Sequence, residues 1–257
     1  MKKLLYLMMP IFAVVTLTAC GQGPDSGLSA SYTDDLTAFQ LLELSHAAQA
    51  DLGSFVSEVT ADIRVSTVGI SMEMPLTMTM ALESEERARI AMEMTVMGMP
   101  TETLMYIRDG YLYSEMDVFG EVIRDVQPAD FANDVVNVDM FDTTFLVEEM
   151  IHDYGLTVVD GGYRLFFDLN LDGLFSFLDD FDMMEDLFAF DAEEMGEWAM
   201  SMVMYLNEDL IPMTSEILLN VETEMMGMPM SLHIDMVMNI VEIGNVVIDF
   251  PAWLDEL

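Results

Sequence analysis

The sequence predicts an α+β protein built on a strongly curved antiparallel β-sheet, a half-barrel, that wraps helices. Three observations point there. Apolar and polar residues alternate over unusually long runs, turn signals separate those runs, and a helical stretch precedes them while others interrupt them. A wide flat sheet would leave its apolar face in water, so a sheet of this kind has to curl and be covered. Hydrophobic residues make up 53% of the 257, which separates the chain from disordered acidic proteins despite a formal charge of −39.

Residues 1–20 read as an export signal. Lys2 and Lys3 form its positive start, Leu4 to Leu17 its apolar core, and Leu17-Thr18-Ala19-Cys20 the small residues before a cleavage point. The core is shorter than the roughly 20 apolar residues that span a bilayer. The segment resembles a bacterial lipoprotein signal, in which the cysteine is lipidated and becomes the first residue; an ordinary secretory signal is the alternative. The chain has one cysteine, and it stands at that position. A single cysteine also excludes an intrachain disulfide framework and a Cys-based zinc cluster.

Both lysines and no carboxylates lie within the signal, so the mature chain carries six arginines, no lysine and a formal charge of −41. Such a charge repels phosphate backbones and excludes nucleic acid as a partner. It also repels anionic headgroups, so the lipid on Cys20 has to supply the membrane anchoring. Residues 21–35, rich in Gly, Ser, Pro and Asp, read as a flexible tether. The expected location is the extracytoplasmic face of the cell membrane, and a monomer is expected.

Leu36–Phe55 reads as an amphipathic helix with Leu41, Leu44, Ala48 and Leu52 on one face and Thr33 or Asp34 as its cap. The period then becomes two. Apolar residues occupy every even position from Met72 to Leu82, and the alternation returns at Ala88–Val96, Trp198–Leu206 and Met228–Ile240. This pattern means antiparallel strands with one wet and one apolar face. Asp109-Gly110 between Met105–Ile107 and Tyr111–Tyr113 signals a hairpin, as does Asp160-Gly161-Gly162 between Leu156–Val159 and Tyr163–Phe167. Asp130–Tyr154 and Leu171–Met184 read as helical. Val96-Met97-Gly98-Met99-Pro100 is echoed by Met225-Met226-Gly227-Met228-Pro229, which predicts hairpin turns in equivalent positions of two halves of one sheet. No Pro/Ser-rich linker divides residues 36–257, which predicts a single domain.

With this order of elements the chain resembles the LolA/LolB and LppX/LprG-like lipoprotein superfamily. The residues that carry the resemblance are the lipobox, the first helix running into Val59-Thr60-Ala61-Asp62-Ile63-Arg64-Val65, and Tyr106-Ile107-Arg108-Asp109-Gly110-Tyr111-Leu112-Tyr113. Towards the end come Tyr205-Leu206-Asn207-Glu208-Asp209-Leu210-Ile211-Pro212 and Gly244-Asn245-Val246-Val247-Ile248-Asp249-Phe250-Pro251. The resemblance implies a half-barrel whose concave face and helical lid, here Asp130–Tyr154 and Leu171–Met184, enclose an apolar cavity for lipid chains. The chain shows no basic cluster that would mark the cavity mouth for acidic headgroups.

Methionine is flexible and polarizable, so a Met-lined face adapts to irregular apolar ligands. The candidate cavity residues are Met72, Met74, Met78, Met80, Met92, Met94, Met228, Met230, Met236 and Met238. Plain core packing of the same side chains against helices is the competing reading, and it corresponds to a structural or interaction lipoprotein with a filled core and a cation-binding acidic surface. Met-x-Met spacing also suits Cu(I), but residues i and i+2 of a strand share a face, where burial accounts for them. Asp168-x-Asn170-x-Asp172-Gly173, with Asp179 at position 12, matches the start of a calcium loop, which makes Ca²⁺ the one candidate cofactor. Asp179 is shorter than the usual bidentate Glu, and helix capping competes with the calcium reading. No nucleophile elbow, zinc-protease helix, P-loop or dinucleotide fingerprint is present, and His46, His152 and His233 are not paired at metal spacing, so no enzyme is expected.

Overall fold

The two-residue period of the apolar runs is satisfied by eleven strands in one antiparallel sheet. The computed structural model describes residues 36–255 apart from 51, 85, 97, 119, 129–150, 170–197 and 226–227. Helix α1 (Ala38–Ala50) comes first. It is followed by β1 (Phe55–Thr67), β2 (Ile70–Ser84), β3 (Arg87–Val96), β4 (Met99–Arg108), β5 (Tyr111–Val118), β6 (Glu121–Pro128), β7 (Ile151–Val159), β8 (Gly162–Leu169), β9 (Trp198–Asn207), β10 (Pro212–Met225) and β11 (Met228–Ile243). The strand order is β6-β5-β4-β3-β2-β1-β11-β10-β9-β8-β7, so the first and last strands of the chain pair at the centre.

The cap of α1 is Thr37, not Thr33 or Asp34, which lie outside the described residues. Thr37 Oγ1 accepts the Gln40 N–H at 3.2 Å, and Gln40 Oε1 accepts the Thr37 N–H at 2.9 Å. This reciprocal box satisfies two donors that the first turn would otherwise leave open. The helix ends at Ala50, and Gly53 takes a left-handed conformation (φ +64°) that turns the chain so that Phe55 opens β1. The buried stripe runs through Ala38, Leu41, Leu42, Ser45 and Gln49, while Leu44, Ala48 and Leu52 are half-buried. The apolar face is therefore rotated from the predicted one, because α1 packs beside β7 and on Leu165 and Phe167 of β8 and Met204 and Leu206 of β9.

The long alternating runs form strands as predicted, each slightly longer than the sequence pattern indicated. Asp109 (φ +54°) and Gly110 (φ +79°) build the first predicted hairpin turn. Asp160-Gly161 builds the second, between β7 and β8. The predicted helix Asp130–Tyr154 is corrected at its end: Ile151–Tyr154 belong to β7, where Ile151 stands opposite Leu169 and Tyr154 opposite Phe167. Residues 130–150 and 171–184 lie outside the described residues, so the helical lid does too. The two echoed Met-Gly segments both connect hairpin strands, β3–β4 and β10–β11. They are not in equivalent places, since β11 adjoins the central β1 whereas β4 lies three strands away from it.

Strands β1, β6 and β10 are the ones that neither alternation nor a turn signal announced. At the sheet edge β6 exposes residues on both faces, and in β10 Leu218 sits on the wet face and interrupts the pattern. Between β9 and β10, Asn207 Oδ1 accepts the N–H groups of Asp209 (3.0 Å) and Ile211 (2.9 Å) and fixes the connection.

Gly162 opens β8 against β9, and a Cβ there would collide with the Leu206 carbonyl oxygen. Gly162→Ala should therefore destabilise the fold by about 2 kcal/mol, in the range of other overpacked sites. Urea denaturation would measure it, and an unchanged midpoint would contradict the close approach.

Candidate ligand-binding face

Strand register decides which side chains share a face. In β1 the odd positions Phe55, Ser57, Val59, Ala61 and Ile63 are buried, while Glu58, Thr60, Asp62 and Arg64 are exposed. Lateral pairing extends that division across the sheet. Met116, Met92, Met78, Met238 and Met204 fall in one row from β5 to β9, with Thr103, Val59 and Ser215 between them. The next row joins Met94, Leu76, Ala61, Met236, Ile217 and Met202.

Of the ten predicted cavity residues, Met74, Met78, Met80, Met94 and Met236 are buried (7% exposed or less), and Met72, Met92, Met230 and Met238 are half-buried. Met228 opens β11 at the end of the same alternating series. Register adds Met105, Met116, Met200, Met202 and Met204 to this face. Met200–Met204 lay in a run already legible as a strand; only pairing shows that the run shares the face of β2.

Polar groups also stand on this apolar side. The Ser57 hydroxyl lies between Met80 and Ile240 in its row, buried and without a hydrogen-bond partner among the described residues. Ser45, on the buried stripe of α1, is in the same condition. Unpaired buried hydroxyls are uncommon and each costs about 1–3 kcal/mol. A cleft of about 590 Å³ opens at the end of β2–β5, where Leu76, Met94 and Thr101 of the apolar face meet Glu93, Glu102 and Asp117 of the wet one.

Asp168, the first residue of the predicted calcium loop, stands in β8 opposite Asp153 and Ser201. Asn170, Asp172 and Asp179 lie outside the described residues. No group of three or more His, Cys, Asp or Glu side chains is arranged to hold a metal among the described residues. His233 pairs with Asn220, Nδ1 to Oδ1 at 2.6 Å.

A carboxy-terminal strap went unseen in the sequence. After β11 the chain crosses the wet side of β2–β6. Ile248 N–H donates to Glu83 Oε2 at 2.9 Å, and Arg87, itself 3.0 Å from Glu83 Oε1, lies over the Phe250 ring at 4.6 Å. Arg124 covers Trp253 at 4.7 Å, and Arg108 reaches Asp255 at 2.9 Å. Tyr106 and Tyr113 meet Trp253 edge-on, both at 6.3 Å. Three of the chain's six arginines thus form a basic cluster, but on the wet face and under the strap. Each cation–π contact contributes roughly 0.5–1 kcal/mol at such exposed positions.

No protein-family model matches the chain, and no curated protein sequence does either. Among solved structures the chain is similar to LprF from Mycobacterium bovis, with 11% identity over 84% of this chain and 97% of that one and a TM-score of 0.39. It is similar to a LolA superfamily protein from Nitrosomonas europaea at 11% identity, 87% and 100% coverage and a TM-score of 0.28. A putative outer membrane lipoprotein-sorting protein domain from Vibrio parahaemolyticus matches at 9% identity, 83% and 95% coverage and a TM-score of 0.24. No helix among the described residues is long and apolar enough to cross a membrane.

The Ile248 N–H, more than Arg87, holds the Glu83 carboxyl below its ordinary pKa. A depressed folded pKa means that the contact stabilises the strap above the unfolded pKa of about 4.3 and is lost as pH falls through the lower folded value. Amide hydrogen exchange at Ile248 should show protection at neutral pH that disappears only in acid. Glu83→Ala should lose it at every pH, and Glu83→Gln, which keeps the acceptor, should abolish the pH dependence. Equal protection in wild type and Glu83→Ala would rule out the anchor.

Proposed function

We propose that this chain is a surface lipoprotein, anchored in the cell membrane by a lipid on Cys20 with residues 21–35 as tether. Its domain, residues 36–257, is a curved half-barrel that binds or carries a lipid or other apolar ligand against its methionine face. The observation that carries this reading is the register, which gathers methionines from β2 to β5, β9 and β11 onto one side of an eleven-stranded sheet. Binding of this kind needs no covalent chemistry. Acyl chains leave water for an apolar surface, at roughly 25 cal/mol per Å² buried, and thioether side chains adjust to their shape. The orphaned hydroxyls of Ser57 and Ser45 suit the carbonyl of an ester or amide on such a ligand.

The burial of Met74, Met78 and Met236 favours a second reading, in which the face is a filled core and the acidic surface contacts cations or protein partners. Native mass spectrometry of protein purified without detergent separates the two. The carrier reading expects lipid masses on the protein, and their complete loss would sink it. Ser57→Ala sharpens the comparison: in a carrier it should lower the bound lipid severalfold, whereas in a filled core it removes an unpaired hydroxyl and should raise the melting temperature.

The calcium assignment of Asp168, Asn170, Asp172 and Asp179 has its own test in calorimetric titration with Ca²⁺. Binding should be present in wild type and absent in Asp172→Ala; the same signal in both would leave Asp168–Asp172 as a helix cap.

A further inference from the structure

The carboxy-terminal strap is held to the wet face almost entirely through its side chains. Phe250 lies against Arg87 (4.6 Å) and Arg108 (5.6 Å), Trp253 meets Arg124, Tyr106 and Tyr113, and the Asp255 carboxylate takes Arg108 at 2.9 Å. Val246, Ile248 and Leu254 are buried. Among the described residues no backbone–backbone hydrogen bond joins 245–255 to a strand, and the one main-chain group held by the sheet is the Ile248 N–H, on the Glu83 carboxylate. None of these contacts depends on the strap being continuous with β11.

The connection itself is confined to two residues. The Gly244 N–H still belongs to the end of the sheet, donating to the Ser54 carbonyl at 2.8 Å. Gly244 (φ +76°) and Asn245 (φ +57°) then both take the left-handed conformation, and this reversal lays the strap over β2–β6. Asparagine tolerates that conformation better than most side chains, yet an extended one is the more favourable for it. Extending these two residues swings 246–255 away as a unit and leaves the sheet unchanged.

The residues that flank this hinge are apolar and poorly covered. Val241 is 51% exposed, Ile243 40% and Val247 83%, although Val247 stands between the buried Val246 and Ile248. Single exposed valines occur elsewhere, as at Val68 and Val158, and need no partner. These three differ in position, because they lie on both sides of the one turn about which the strap opens. Charge favours a strap of the same sequence on the vacated face. Arg108 and Arg87 present guanidinium groups there, whereas the strap brings Asp249 and Asp255 and no basic residue.

We propose that the arginine-bearing face of β2–β6 receives the strap of a second copy as well as its own, so that two chains pair by exchanging residues 246–255. The same side-chain contacts hold the strap in both forms. Exchange adds an extended hinge and brings the two hinges together, where Val241, Ile243 and Val247 of both copies gain cover. Lost freedom on association opposes it, as does repulsion between two acidic chains, which salt screens. Exchange of this kind needs neither a bound lipid nor the anchor at Cys20.

Charge reversal tests the exchange in trans. Arg108→Asp repels the strap of its own chain, and Asp255→Arg is repelled by the arginine of its own chain. Mixed in equal amounts, the two variants restore both contacts only by exchanging straps. Native mass spectrometry of the full-length protein in detergent micelles should then show the mixed dimer at about tenfold or more over either homodimer, against about twofold for random pairing. Asn245→Pro opens the hinge, since proline cannot take φ +57°. It should raise the dimer about tenfold over wild type at the same concentration, with the Ile248 amide still protected from hydrogen exchange. Random proportions in the mixture, or no dimer in it, overturn the proposal. A monomeric Asn245→Pro chain overturns it too, whether its Ile248 amide is protected or free. A foreign protein bound to that monomer overturns it in favour of a different partner.

Discussion

Every other feature of this molecule depends on the register between its first and last strands. β1 and β11 form the centre of the sheet, and their pairing sets Val59 opposite Met238, Ala61 opposite Met236 and Ile63 opposite Ile234. Side chains alternate with a period of two, so a slip of one residue would move a whole apolar set into water and bring Asp62 and Asp235 inside. The cost of that slip is what specifies the arrangement. Strands β2 to β6 are then added outward on one side and β10 to β7 on the other, each hairpin inheriting its orientation from the neighbour already in place.

The same alternation distributes the charge. Carboxylates cannot share the apolar side, so they crowd the wet one, where Glu93, Glu102 and Asp117 stand directly opposite one another on β3, β4 and β5. Like charges in such positions oppose pairing, although exposure to water and salt keeps the penalty modest. Where the arginines gather, the wet face can be covered: Arg87, Arg108 and Arg124 neutralise carboxylates and hold aromatic rings at once. Half of the chain's six arginines lie under one strap, and planar guanidinium groups suit both tasks better than ammonium would.

Legibility in the sequence followed locality. Met72–Leu82 and Met228–Ile240 declared their strands because burial on one side repeats every second residue within the segment itself. β6 was silent because neither of its faces is consistently buried, and Ile151–Tyr154 read as helix because a short apolar stretch has no decisive period until β8 pairs with it. The methionine face was legible in part. Ten members were readable from two runs and their neighbours, whereas Met105 and Met116 joined through lateral pairing alone.

By itself the sequence determined the alternating strands, the Asp-Gly hairpins, the acidic surface and the one-sidedness of the apolar residues. It determined as well the export signal with its single cysteine as an expectation. These are properties of neighbours along the chain, where a period or a dipeptide carries the physics. Only the tertiary structure decided that β1 and β11 meet at the centre, that the two echoed Met-Gly segments connect hairpins in non-equivalent places, and that Thr37 caps α1 against the stripe chosen by β7 to β9. The Glu83–Ile248 contact shows why. Its partners are 165 residues apart, and no local pattern records a hydrogen bond that exists only once the sheet has brought the two ends of the chain together.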